Sequence, residues 1–165
     1  MLQDLSAVFA TLPGGELVWT VLMFIVVLSV LVFVHEWGHY AAARSVGVHA
    51  EVFSIGFGKE IFGWYDKRGT RWKVSWVPLG GYVKMKGDTK EAEAELDPQE
   101  REYSFLHKGV LQRMWVVLAG PLANFVFAAV VFAGMMMHGE QKLKPVVSEV
   151  VSESAAEAAD LQVGD

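Results

Sequence analysis

The sequence predicts a mainly α membrane protein with two transmembrane helices and an intervening membrane-associated β-hairpin region. Three observations carry this reading. Two long runs hold no charge, the cations are concentrated between them, and the mean hydropathy is +0.31. Only 20% of the 165 residues are charged, against the ~25% usual in soluble domains. With 53% hydrophobic residues, a disordered chain is excluded.

Residues 1–16 precede the first run and carry Asp4 and Glu16 but no cation. The run itself, Leu17 to Val34, is eighteen residues interrupted only by Thr20 and Ser29. As a helix rising ~1.5 Å per residue it covers about 27 Å, close to the ~30 Å hydrocarbon core. The expected first transmembrane helix is 17–46. A signal peptide would need a positive stretch before the run and a small-residue cleavage site after it, and neither is present.

Residues 51–83 are rich in Phe, Trp, Tyr, Val and Gly. Strands are expected at about 52–57, 60–66 and 70–77, joined at Gly58 and by the turn Asp66-Lys67-Arg68-Gly69. A soluble hairpin would need a core to pack on, and the chain offers little material for one. The better reading is an aromatic hairpin dipping into the membrane beside the first helix, with a free edge able to hold an extended peptide.

Residues 84–113 are expected to be a cytoplasmic loop and an interfacial segment. Within them, 87–104 is acidic and reads as a flexible surface loop with no chemistry. Residues 103–113 read as an interfacial amphipathic stretch with Phe105, Leu106, Val110 and Leu111 toward lipid. The second span, 114–137, has no charge in twenty-four residues. Pro121 inside it frees a carbonyl that lipid cannot satisfy, so another polar group should lie beside that turn.

Residues 144–165 read as strand, short helix and turn. Some twenty residues cannot bury a core, so a domain starting there is expected to continue past residue 165, and the chain reads as an N-terminal piece. Residues 1–43 contain no Lys or Arg, whereas 44–113 hold twelve of the fourteen. The positive-inside rule therefore puts 44–113 in the cytoplasm and both ends on the far side.

The absence of cysteine removes disulfides, thiolate metal sites and thiol catalysis together. A pI near 5.5 gives no basic footprint for nucleic acid. The motif that carries chemistry is His35-Glu36-Trp37-Gly38-His39, at the inner end of the first span. Helical positions i and i+4 differ by ~40° in azimuth and ~6 Å in height, so both imidazoles project from one face and suit one zinc ion. Glu36 is placed as a general base for water that the ion acidifies. Histidines satisfied by water or headgroups are the bland alternative, but three ionisable groups clustered at membrane depth need a common reason. Gly38 points to close approach of another segment. His49, His107 and His138 have no partner at ligand spacing and read as loop or interfacial residues.

These residues resemble the site-2 proteases, intramembrane zinc metalloproteases, and most closely their bacterial branch that regulates sigma E. The matching segments are His35–Arg44, Gly56-Phe57-Gly58, Pro78-Leu79-Gly80-Gly81-Tyr82-Val83 and Ala119-Gly120-Pro121-Leu122-Ala123-Asn124-Phe125, followed by a tail similar to the start of a PDZ domain. The first motif is shared by many metalloproteases; the ordered combination is specific. The resemblance implies a multi-pass enzyme of the bacterial inner membrane, with N-terminus and PDZ domain periplasmic. Its partners would be the lipid bilayer and a transmembrane substrate, an anti-sigma factor in an envelope stress response. It implies zinc ligands His35 and His39, general base Glu36, and substrate-binding roles for Gly56, Phe57, Gly58 and Asn124. The family's third ligand is an Asp in a later helix, within an L-D-G motif that this sequence lacks, so the chain as given is expected not to be a complete catalyst. A membrane metal transporter and a PDZ-bearing scaffold stay open as other readings.

Overall fold

The structure, a computed structural model, describes residue 9, residues 11–139 and six single positions after them. Helix α1 spans Gly15–Ser45, two bulge-rich strands β1 (Ala50–Tyr65) and β2 (Arg71–Met85) form a sheet, and helix α3 spans Val110–His138. Between β2 and α3 lie the short helix α2 (Lys90–Ala94) and a 3₁₀ turn at Arg101–Tyr103. Residues through Val130 form one compact unit; of the second, from Val131, the continuous described part is the end of α3 and Gly139. The expected strand and helix over 144–165 lie outside the continuously described residues.

At 31 and 29 residues, α1 and α3 are each long and apolar enough to cross a membrane. Their outer faces expose Leu17, Phe24, Val27, Phe125, Phe132 and Met136. Such a surface belongs in lipid. Both helices begin and end within a few residues of the sequence reading. α1 stops because Gly47, at φ +75°, turns the chain left-handed, and the Val48 N–H donates back to the Ala43 carbonyl at 2.9 Å.

The apolar core is small. Ala42, Ala43, Val48, Val116 and Ala119 bury against one another where α1 meets α3, with Phe105 packed alongside. Phe105 therefore faces this core, not lipid as its amphipathic spacing suggests. It lies in a turn before α3 and its N–H donates to the Lys86 carbonyl at 2.8 Å, so helical spacing does not apply to it.

β1 and β2 pair antiparallel, with register shifts around the middle of β1. Gly56 and Gly58, both at φ +85°, allow β1 to bend there, and Gly56 lies so close to the Ser75 and Val77 carbonyls that a Cβ would sit 2.9 and 2.7 Å from them. As a result Phe53 has Val83 as one partner and Trp72 as the other, while Trp72 also pairs with Trp64. The expected turn is present: the Asp66 carboxylate accepts from the Arg68 and Thr70 N–H groups at 2.8 and 3.0 Å. Two corrections arise. The strand does not end at 77 but runs through Pro78-Leu79-Gly80-Gly81 to Met85, and Gly58 lies inside β1 and joins no separate strands.

Only half of the hairpin reaches away from the body. Phe53 is fully buried, stacked on Trp72 at 4.2 Å and edge-on to Phe33 and Tyr40 of α1. Phe62, Tyr65, Trp76 and Leu79 are exposed.

The acidic stretch is more ordered than a free loop. Thr89 caps α2 by accepting from the Ala92 N–H, Lys86 pairs with Glu100 at 2.6 Å, and the His49 N–H donates to the Tyr103 carbonyl at 3.0 Å. Ser104 is fully buried. This clasp ties 86–87 and 103–106 to the segment after α1, a tertiary effect that local charge does not reveal.

Candidate metal centre and active site

His35 and His39 sit on one face of α1 as their spacing requires, partly buried. Their Nε2 atoms face each other at 3.2 Å. Two nitrogens each ~2.0–2.1 Å from one zinc ion at a tetrahedral angle would be about 3.3–3.4 Å apart, so the pair fits a shared ion with almost no movement. Among the described residues no third His, Cys, Asp or Glu completes a cluster.

The His39 ring is fixed from behind by α3. Its Nδ1–H donates to the Val116 carbonyl at 2.8 Å, leaving Nε2 bare for a metal. Gly120 lies against the same ring, and any Cβ there would collide with the imidazole. Gly38 has the matching role on α1: a Cβ would sit 2.7 Å from the Ala123 side chain and collide with the Ala119 carbonyl. The two glycines let the helix backbones close until a ligand ring touches the neighbouring helix. The Trp115 indole N–H donates to Ser45 Oγ at 3.2 Å and adds a second tie.

Asn124, one turn past Gly120, lies beside the other ligand, with its amide nitrogen 3.4 Å from His35 Nδ1. Its side-chain oxygen is buried with no hydrogen-bond partner among the described residues.

Glu36 faces β2. A Cβ on Gly81 would lie 3.0 Å from Glu36 Cγ. Two hollows meet at this point. One, about 370 Å³, is lined by His35, Glu36, Phe57, Leu79, Gly81 and Asn124 among others. The other, about 280 Å³, includes Glu36, His39, Tyr82, Val83 and Val116. A larger hollow, about 580 Å³, is an apolar groove on the far side of the crossing and reaches neither histidine.

Of the residues expected to bind substrate, Phe57 and Asn124 line the hollow beside His35 and Glu36. Gly56 and Gly58 do not line it; they shape the bend that brings Phe57 there. Sequence reasoning gave no role to the Val116 carbonyl, which has no side-chain signature. It also left Gly80 and Gly81 without a separate role, although a glycine pair in a strand is a signal of close backbone approach.

A family model described as peptidase family M50 matches residues 23–163, which contain every residue of this site. The chain belongs to peptidase family M50. Protease RseP of Yersinia pestis is 43% identical over 149 residues, covering 90% of this chain and 32% of that protein. The regulator of sigma E protease of Haemophilus influenzae is 42% identical over 144 residues, 87% of this chain and 32% of its own. A Rickettsia conorii protein named as a zinc metalloprotease is 43% identical over 147 residues, 88% and 41% of the two chains. The M50 chain described here thus spans about a third to two fifths of the length of these curated relatives.

Proposed function

We propose that this chain carries the metal-binding and proton-transfer half of a zinc-dependent intramembrane endopeptidase. The observation that carries the reading is the pair of Nε2 atoms 3.2 Å apart on a helix long and apolar enough to span a membrane. Membership of an M50 family whose relatives are named zinc metalloproteases supports it. His35 and His39 would hold the zinc, with a third protein ligand, an Asp, contributed by the remaining length that the relatives possess.

Bound there, zinc would acidify water and polarise a carbonyl oxygen. Glu36 takes the proton from the attacking water and passes it to the departing amide nitrogen. Its place against Gly81 and beside Val83 keeps the carboxylate at the strand edge, where a peptide would lie. Helical peptide bonds are shielded by their own hydrogen bonds, so a transmembrane substrate must be extended before it is cut. The edge of β2 over Gly81–Lys84 receives it by strand addition, with Phe57 and Asn124 bordering the hollow that takes its side chains.

The cation distribution supports a topology with 44–113 in the cytoplasm and residues 1–16 and those after 138 in the periplasm of a bacterial inner membrane. The likeness to a relative named a regulator of sigma E protease supports an anti-sigma factor as substrate. Domain boundaries follow the sequence reading, with a PDZ domain starting at 144.

The test is Glu36→Gln in the full-length protein with a reporter transmembrane substrate. Zinc content should stay at the wild-type level while cleavage falls by about 10²–10⁴-fold, the usual contribution of a general base. Cleavage at the wild-type rate would overturn the reading of Glu36; metal transport that survives the substitution would favour a transporter, and a full-length protein without bound zinc a scaffold.

A further inference from the structure

We propose that Asn124 is the positioning residue for His35, and that the direction of its amide decides whether that histidine can serve as a ligand. The inference rests on the metal-centre reading above and deepens it.

The hydrogen bonds around the two rings admit two self-consistent arrangements. His39 is the same in both: its Nδ1–H donates to the Val116 carbonyl at 2.8 Å, so its Nε2 is bare. His35 is not fixed in this way, because its Nδ1 meets a carboxamide at 3.4 Å, and a carboxamide offers a donor at one end and an acceptor at the other. With the amide nitrogen toward the ring, Nδ1 must be the bare atom and Nε2 must carry the proton. That proton then points along the 3.2 Å line to His39 Nε2, and the rings hydrogen-bond to each other. This arrangement leaves one loose end, the Asn124 oxygen, which is buried without a partner among the described residues. A buried unpartnered amide oxygen is costly.

A half-turn of the amide gives the oxygen a partner and moves the amide nitrogen into the buried place the oxygen held. The oxygen then accepts from His35 Nδ1–H, and both Nε2 atoms are bare and face each other. Only this arrangement offers two nitrogen lone pairs to one cation. Asn124 and the Val116 carbonyl become equivalent devices, one behind each ligand, and both come from α3. The residue therefore acts on the metal through His35, as an acceptor of defined direction.

The experiment measures zinc affinity of the full-length protein in detergent by competition with a chromophoric chelator. It compares wild type with Asn124→Leu, which keeps size and removes the acceptor, and Asn124→Asp, which is an acceptor at both oxygens. Asn124→Ala covers the case in which the Leu side chain does not fold, and gel filtration with thermal unfolding reports folding for each. The expected result is a zinc affinity lowered about 10–100-fold in the Leu and Ala variants, as for other outer ligand partners, with Asn124→Asp within about threefold of wild type or tighter. A merely space-filling role predicts the opposite order, with Leu tolerated and the buried Asp charge harmful. Wild-type affinity in Leu and Ala, or an Asp variant as weak as Leu, would overturn the proposal. A wild-type protein that takes up no zinc would overturn the metal-centre reading itself.

Discussion

The helix crossing and the hairpin solve opposite problems. At the crossing, Gly38, Ala119, Gly120 and Ala123 bring two backbones so close that a single methyl group has no room. The hairpin instead bends at two positive-φ glycines and exposes Phe62, Tyr65, Trp76 and Leu79. The ligand atoms sit on the unyielding part, and the proposed substrate edge, Gly81–Lys84, lies where the hairpin is anchored to it, with the exposed half beyond. A metal centre needs placement within tenths of an ångström, whereas a surface that accepts varied extended peptides needs backbone hydrogen bonds and room to adjust.

The largest expected effect comes from the place where the contrast breaks down, the buried half of the hairpin. Phe53→Ala should lower stability by about 3–5 kcal/mol, because the ring is sandwiched between Trp72 and the Phe33 and Tyr40 rings of α1. Trp76→Ala, on the exposed half, should stay within about 0.5 kcal/mol. Thermal unfolding in detergent measures both, and equal losses would show that the hairpin is uniformly pinned.

At the crossing, Gly120→Val should cost about 1–3 kcal/mol from overpacking. Its stronger signature is chemical: displacing the His39 ring by even ~1 Å should cut cleavage of a reporter substrate about 10²-fold. Retained cleavage would mean that the crossing yields as readily as the hairpin.

The smallest effect is one of pH and concerns the joint between the two regions. Burial alone would raise the Asp66 carboxyl, but hydrogen bonds from the Trp72 indole, the Thr70 and Arg68 amides and the Tyr40 hydroxyl outweigh it and hold it below its ordinary value. The folded chain therefore binds this proton less readily than the unfolded one. The contribution to stability is complete above about pH 4, the ordinary Asp value, and is lost as pH falls through the lower folded value. Asp66→Asn should flatten that acid limb of the unfolding curve, and an unchanged limb would show that Asp66 does not join α1 to the sheet.

What could be read beforehand follows the range of each interaction. The apolar runs, the i, i+4 histidines and the Asp66–Gly69 turn are local, and all three were legible. The course of β2 past Pro78 was not, since Pro and Gly-Gly read as strand breakers until a neighbouring helix makes glycine necessary at Gly81. Ordering of the acidic stretch depends on Lys86 meeting Glu100 across fourteen residues. Within the site, Glu36 and the histidines announce themselves by type, whereas the Val116 carbonyl is a backbone atom that any residue could supply.

The double pairing of Phe53, with Trp72 on one side and Val83 on the other, ties distant lengths of chain together like gear teeth. Side chains alternate across a strand, so one residue removed between Tyr65 and Arg71 would turn inward positions outward along the whole of β2. Gly81 would then yield its place beside Glu36 to Tyr82. The number of residues in a turn far along the sequence from any ligand is thus a dimension of the active site.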